Sequence, residues 1–330
     1  MARLFFILLL ALLPAVSHAN CRGTDLRKSM SPSELAQLSA KAARVPYAEG
    51  NHWVASKGNQ RVHIVGTFHS GDKRHNRTVR ALTPYVKKAD LVVLEIHTQK
   101  AQKFFDDMAK HPEFYVLQRP PYIDQLMSPK GWAELKKRSA ISPLGDDMLK
   151  RLQPFLLEAT ISSSQCDPFA WQRNWRGLDE KIERLAHRNR VPVLALETPA
   201  QSVKRLTAIP LRDQVKMMEL QMRSQRGDAD IATTMRNAYF EENTPLAFAI
   251  HEHFIFRDVK VPRSEVARLL RVQSQYLLDR RNKKWMPILL NRKEKTIVVA
   301  VGAGHLSGKN GLLNLYRARG YKLQRIPLKR

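Results

Sequence analysis

Hydrophobic and polar positions change period several times along this chain, and each change marks a predicted element. Ser31-Pro32-Ser33-Glu34 leads into LAQLSAKAA, where Ser31 caps a helix and Glu34, three residues on, completes a capping box. His52–Ser56 and Arg61–Val65 flank Lys57-Gly58-Asn59-Gln60, the pattern of a β-hairpin, and the second strand runs directly into Gly66-Thr67-Phe68-His69. A helix follows over Thr78–Lys88. Leu91–Glu95 and Val191–Glu197 are then short continuous apolar runs of buried-strand type. Residues 100–190 are mostly helical, broken at Pro112, Pro120-Pro121, Pro143 and Pro168, and residues 200–290 are helical and strongly charged. Thr296–Val301 is the clearest strand and opens into Gly302-Ala303-Gly304-His305; a short helix over Gly311–Ala318 precedes a last strand at Tyr321–Ile326. Strands separated by helices predict an α/β fold with a mostly parallel central sheet, flanking helices and a large helical insertion.

The first residues are a separate object. Arg3 precedes an apolar run from Leu4 to Val16, too short to span a bilayer and of the length of a signal-peptide core, with Ser17 and Ala19 placed for cleavage after Ala19. An uncleaved membrane anchor is the alternative. A lipoprotein reading of Cys21 fails because Ser-His-Ala-Asn lacks the small residues expected just upstream. The predicted organisation is a cleaved signal over 1–19 and a single domain over 20–330, with helical insertions at about 100–190 and 200–290. Export, to the periplasm or beyond the cell, places Cys21 and Cys166 in an oxidising compartment, where a disulfide between them is expected over two free thiols.

Composition removes whole classes. With 43% hydrophobic residues the chain can bury a core and is not a disordered tail; 2 Cys exclude a disulfide-dense scaffold and a four-thiolate zinc site. The 56 Lys+Arg against 30 Asp+Glu leave a net charge of +26. The cations are dispersed along the sequence rather than gathered into one arm, and no nucleic-acid motif is present, so no nucleic acid is expected. For an exported chain the excess predicts weak association with anionic envelope surfaces.

Four strand ends carry groups that a core does not need: His69, Glu95, Glu197 and His305. In open α/β sheets ligands bind beyond the carboxyl ends of the strands, so parallel neighbours would bring these four together at one edge. Two imidazoles and two carboxylates can hold a divalent cation and supply a general base. The loop glycines Gly66, Gly302 and Gly304 fit a chain that turns sharply where it leaves its strand. Arg281 and Asn282, in LLDRRNKKWMPIL, are either solvated helix residues or groups that reach the site to bind a carbonyl or carboxylate.

Other motifs fail. Gly302-x-Gly304 after a strand resembles a dinucleotide fingerprint, but no acid follows Glu294 to bind a ribose. Nucleophile-elbow, His-Glu-x-x-His and phosphate-loop motifs are absent. His251-Glu252-His253 looks metal-like, yet its charged helical setting predicts a solvated surface.

GTFH at 66–69, VVLE at 92–95, GLDE at 177–180, LALET at 194–198, RN at 281–282 and VAVGAGHLSGKNGL at 299–312 together resemble the TraB/GumN family, which includes the Tiki proteases and is related to erythromycin-esterase and ChaN-like folds. The resemblance spans about residues 45–328. It implies an α/β fold with both Gly-x-x-His loops at one cleft. For the Tiki branch it implies peptide-bond hydrolysis dependent on a divalent ion such as manganese or cobalt, with His69 and His305 facing the metal and Glu95 as their acidic partner.

Three functions are therefore expected in order. The first is a metal-dependent hydrolase, a peptidase, in which Glu197 or Glu95 takes a proton from metal-bound water and Arg281 or Asn282 stabilises the oxyanion. A metal-free hydrolase of small esters with a histidine base is the second. The third is a non-catalytic binder of a metal, haem or envelope ligand.

Overall fold

The computed structural model describes residues 23–139, 145–162, 177–223 and 228–328. The expected signal segment and the Cys21–Cys166 pair lie outside them. At its centre is a mixed sheet of β1 (His52–Lys57), β2 (Gln60–Thr67), β3 (Leu91–Leu94), β4 (Val193–Ala195), β5 (Thr296–Gly302) and β6 (Lys322–Arg325), in the order β4-β3-β5-β2-β1-β6. The four strands from β4 to β2 are mutually parallel, and β1 runs antiparallel to both β2 and β6.

The sheet is covered on both faces, which is why its central strands read as unbroken apolar runs. Flanking it are α1 (Pro32–Ala43), α2 (His75–Lys87), α3 (Leu178–Arg188), α4 (Arg280–Leu290) and α5 (Leu312–Arg317). Ile297, Val299 and Val301 of β5 point to the layer of Trp285, Met286 and Leu289 of α4 and Leu312, Leu313 and Tyr316 of α5. Val298 and Ala300 point the other way, onto Leu82 and Val86 of α2 and Leu178, Ile182 and Ala186 of α3. Burying a side chain of this size contributes ~1.5–3 kcal/mol, so the two layers fix the register of β5 against a one-residue slip. The helical insertion has a core of its own, including Leu117, Ile123, Leu135, Leu149, Val215 and Met218.

Local chemistry explains several boundaries. Ser31 accepts from Glu34 N–H while the Glu34 carboxylate accepts from Ser31 N–H, the reciprocal box that starts α1. The hairpin closes with Lys57 opposite Gln60, and Gly58 takes a φ of +54° that only glycine adopts freely. Two expectations need correction. The apolar run at 191–197 gives a regular strand of only three residues at the sheet edge, although its hydrogen bonds to β3 continue on both sides, at Pro192 and at Leu196 and Glu197. His251-Glu252-His253 is half-buried rather than solvated: it lies on the helix Thr244–Asp258, where Glu252 pairs with Lys41 of α1. Among the described residues no helix is long and apolar enough to cross a membrane.

Candidate active site

Because β2, β3, β4 and β5 are parallel and adjacent, their carboxyl ends meet at one edge and bring His69, Glu95, Glu197 and His305 together. The pairing of β3 with β4 continues past the strands, with Leu196 and Glu197 N–H donating to the carbonyls of Leu94 and Glu95. This places the two carboxylates side by side. A fifth group, Arg281 in the first turn of α4, enters between them.

Arg281 organises the buried half of the cluster. Its Nε donates to Glu197 Oε2 at 3.2 Å, NH2 to Glu95 Oε2 at 2.5 Å, and NH1 to both His305 Nε2 at 3.1 Å and the Leu277 carbonyl at 3.3 Å. The guanidinium also lies 4.6 Å from the centre of the Trp285 ring. A guanidinium has five N–H donors, so one hydrogen on NH2 remains unspent. A π-helical turn over Gln275–Asp279 leads directly into α4, ending two residues before Arg281.

Glu197 is fully enclosed; Oε1 takes the Trp285 indole N–H at 3.0 Å and pairs with Arg205 at 2.7 Å. Glu95 accepts from Gly302 N–H at 2.6 Å through its other oxygen. Burial by itself would raise the Glu95 carboxyl, but His305, Arg281 and His69 together with that N–H hold it well below the usual carboxylate range. Burial pushes His305 down to about 4 against the pull of Glu95, and Arg281 and His69 act with burial. A neutral ring accepting at Nε2 carries its proton on Nδ1, which donates to Asn282 Oδ1 at 2.7 Å. Asn282 then donates to the carbonyls of His305 and Asn310, at 3.2 and 2.9 Å. Its amide is therefore committed to holding the His305 loop, and it has no group turned to a substrate.

His69 is different. Its side chain is 57% exposed, and Nδ1 lies 2.9 Å from Asp179 Oδ2. The buried Thr67 hydroxyl donates to Asp179 Oδ1 at 2.5 Å. The Asp179 carboxylate, with Glu95 acting in the same direction, lifts the imidazole to about 9. Asp179 stands in the first turn of α3, and that turn is joined to the His69 loop by Leu178 N–H donating to the Phe68 carbonyl at 3.1 Å. A Cβ on Gly177 would lie 2.4 Å from the His69 carbonyl oxygen, so the approach requires glycine. Sequence reasoning did not place Asp179 in the site. An acid in the first turn of a helix is ordinarily there for the helix dipole, and only the GLDE motif signals more.

The loop glycines are needed for a reason other than the expected sharp turn. None of Gly66, Gly302 and Gly304 has a left-handed φ. A Cβ on Gly302 would instead fill the space ringed by Glu95 Oε1 at 3.2 Å, His69 Nε2 at 3.3 Å and His305 Cδ2 at 3.7 Å. Gly66 similarly leaves room for Ala303 and Leu306, and Gly304 for Phe248 and Leu278.

The three expected metal-facing residues thus converge, but as arranged they do not fit a divalent ion. Both oxygens of Glu95 and both ring nitrogens of His305 are already bonded, and a guanidinium stands beside them as the cation. Only His69 Nε2 is uncommitted. Among the described residues no group of three or more His, Cys, Asp or Glu is placed to hold a metal. No curated protein matches the chain. A family model described as TraB/PrgY/gumN matches residues 51–325, which takes in both Gly-x-x-His strand ends and the acids between them. The chain belongs to the TraB/PrgY/gumN family.

Proposed function

We propose that this protein is a hydrolase acting on a peptide or small ester, with His69 as the proton-transfer group, Asp179 orienting it and Arg281 balancing the charge that develops. The observation that carries the reading is the division of labour between the histidines. His305 is buried and bonded on both sides, whereas His69 is tied down at Nδ1 by a carboxylate and open at Nε2. That is the arrangement a general base requires.

In the proposed step His69 Nε2 takes a proton from water as its oxygen attacks the substrate carbonyl carbon. The carbonyl π electrons move to oxygen, and the remaining NH2 hydrogen of Arg281 faces the resulting negative charge. Collapse reforms the carbonyl, breaks the bond to the leaving group and returns the proton from Nε2 to it. Asp179 stabilises the imidazolium between these events. Glu95 and Glu197 hold the guanidinium in place.

A second reading is the metal-dependent hydrolase expected from the resemblance. The convergence of Glu95 Oε1 and His69 Nε2 around Gly302 favours it, and it requires Arg281 to leave Glu95 and His305.

One experiment separates them. The purified protein is assayed on peptide and ester libraries after exhaustive chelation, with His69→Ala as the control. Turnover that survives chelation and is lost in the variant supports the first reading. Turnover restored only by added manganese or cobalt supports the second. Stoichiometric ligand binding with no turnover in any library overturns both.

A further inference from the structure

The opposite edge of the sheet has its own chemistry. Because β2 to β5 and β6 run the same way, all their amino ends lie at the pole away from the candidate site, and the β1–β2 hairpin turns there too. The registers place Lys57 opposite Gln60, Arg61 opposite Thr296 and Ser56 opposite Lys322. Exposed cations occupy the strand starts and connections at this pole: Lys57, Arg61, Lys293, Lys295 and Lys322. Helix ends leading into the strands add Lys87 and Lys88, Arg188 and Arg190, and Arg317 and Arg319, all exposed. In the same segments the acids are Asp90, whose carboxylate is bonded to Thr296 N–H, and the half-buried Glu294. None of these eleven cations is ion-paired with an acid among the described residues.

Cations at helix C-termini answer the helix dipole, which accounts for some of the second group. Lys57 likewise donates to the Arg319 carbonyl at 2.8 Å, just past the end of α5, whereas Arg61, Lys293, Lys295 and Lys322, at the starts of β2, β5 and β6, have no side-chain bond to a helix end among the described residues. Positions scattered from 57 to 322 in the sequence are gathered by the topology onto one edge, six strands or roughly 24 Å wide at ~4.8 Å per strand.

We infer that this pole is a docking surface for an anionic phospholipid bilayer. It would hold the protein electrostatically with the His69–Arg281 edge turned away from the membrane. The cations are a spread of lysines and arginines, and the neighbouring rings of Tyr316 and Tyr321 are buried and so not open for stacking bases. On the export expected from residues 1–19, the chain would meet anionic lipid rather than nucleic acid, and each cation near such a surface adds to binding. This inference is independent of the catalytic reading.

The test is sedimentation of the protein, as purified from the producing cell, with phosphatidylcholine vesicles containing none or 40% phosphatidylglycerol, at low and high salt. Binding is expected only with the anionic lipid and is lost at high salt. The quadruple variant Lys57→Glu, Arg61→Glu, Lys293→Glu, Lys295→Glu is expected to bind at least roughly a thousandfold more weakly. The matched variant Lys100→Glu, Lys103→Glu, Lys136→Glu, Lys137→Glu, of equal net charge, is expected to bind as the parent does. Amine-labelling of the unmutated protein gives a second readout, in which vesicles protect Lys57, Lys293, Lys295 and Lys322 but not Lys136 and Lys137. Equal loss in both quadruple variants, uniform labelling, binding indifferent to lipid charge, or tighter binding to duplex DNA than to vesicles at the same salt would each overturn the proposal.

Discussion

The two edges of one sheet treat charge in opposite ways. At the carboxyl edge, Glu95 and Glu197 are enclosed around a single guanidinium, and every polar atom but a few is bonded. At the amino edge the cations stand exposed and apart from acids. A net charge of +26 is therefore not a uniform coat. Three of the scarce acids, Glu95, Asp179 and Glu197, hold the geometry of one edge, and exposed cations line the other. An ion pair taken out of water is fragile to the loss of one partner, whereas a solvated cation contributes little to folding.

The largest expected effect comes from breaking the enclosed edge. Arg281→Ala leaves two buried carboxylates without their cation and is expected to cost about 3–5 kcal/mol in denaturant unfolding, as well as activity. Adding Glu197→Gln to that variant removes one of the stranded charges and is expected to recover part of the loss, which sharpens the attribution to charge over packing.

Next comes the arm between the edges and the solvent. Asp179→Asn removes the charge behind His69 while keeping its shape, and turnover above about pH 9, where the base is free in both proteins, is expected to fall at least ~100-fold with little change in stability. In the unmutated protein the deprotonated base becomes available as pH rises towards about 9, so kcat/KM is expected to climb through that range. In the variant that limb moves down towards the ordinary histidine value.

A third prediction concerns the strands joining the two edges. His52 and His63 are buried 3.1 Å apart beside Tyr85; burial, then His63, lowers His52 to about 3, and burial, then Arg61, lowers His63 to about 4. The unfolded imidazoles take up protons near ~6.5. The pair's contribution to stability is thus complete above ~6.5 and is lost as pH falls from there towards about 4, because only the unfolded chain gains the protons. Unfolding followed from pH 8 to 4 is expected to lose roughly 3 kcal/mol or more over this window, and His63→Phe is expected to flatten the acid limb.

The smallest effect belongs to the exposed edge. Reversing Lys57, Arg61, Lys293 and Lys295 together is expected to change unfolding free energy by no more than about 0.5 kcal/mol per site, with relief of mutual repulsion acting in the stabilising direction. A large destabilisation there would mean that the two edges do not differ as described.

Much of the fold and of the site is legible in the sequence, for physical reasons. The central strands are covered on both faces, so their apolar runs stand out, and a histidine or glutamate ending such a run is conspicuous. His69, Glu95, Glu197 and His305 were all findable this way. What the pattern hides depends on partners distant along the chain. The motif at 177–180 was visible, but the role of Asp179 rests on Thr67 and His69, more than 100 residues earlier. Asn282 reads as a substrate-facing amide until its bonds to the His305 loop are seen. The half-buried setting of His251–His253 follows from packing against α1, which is not encoded in their own charged neighbourhood. The amino edge is the extreme case. Its cations look dispersed because they are, until the strand order gathers them.

The state of His69 decides the proposed chemistry most directly, and an imidazole NMR titration of the histidines reads it without knowledge of a substrate. The expectation is that His69 carries its neutral-state proton on Nδ1, titrates at about 9 and drops towards ~6.5 in Asp179→Asn, while His305 stays neutral down to about 4. Stoichiometric zinc, added as a diamagnetic probe, is expected to leave His305 unmoved. A His69 that titrates near ~6.5 regardless of Asp179, or a His69 and His305 that shift together on one equivalent of zinc, would contradict it.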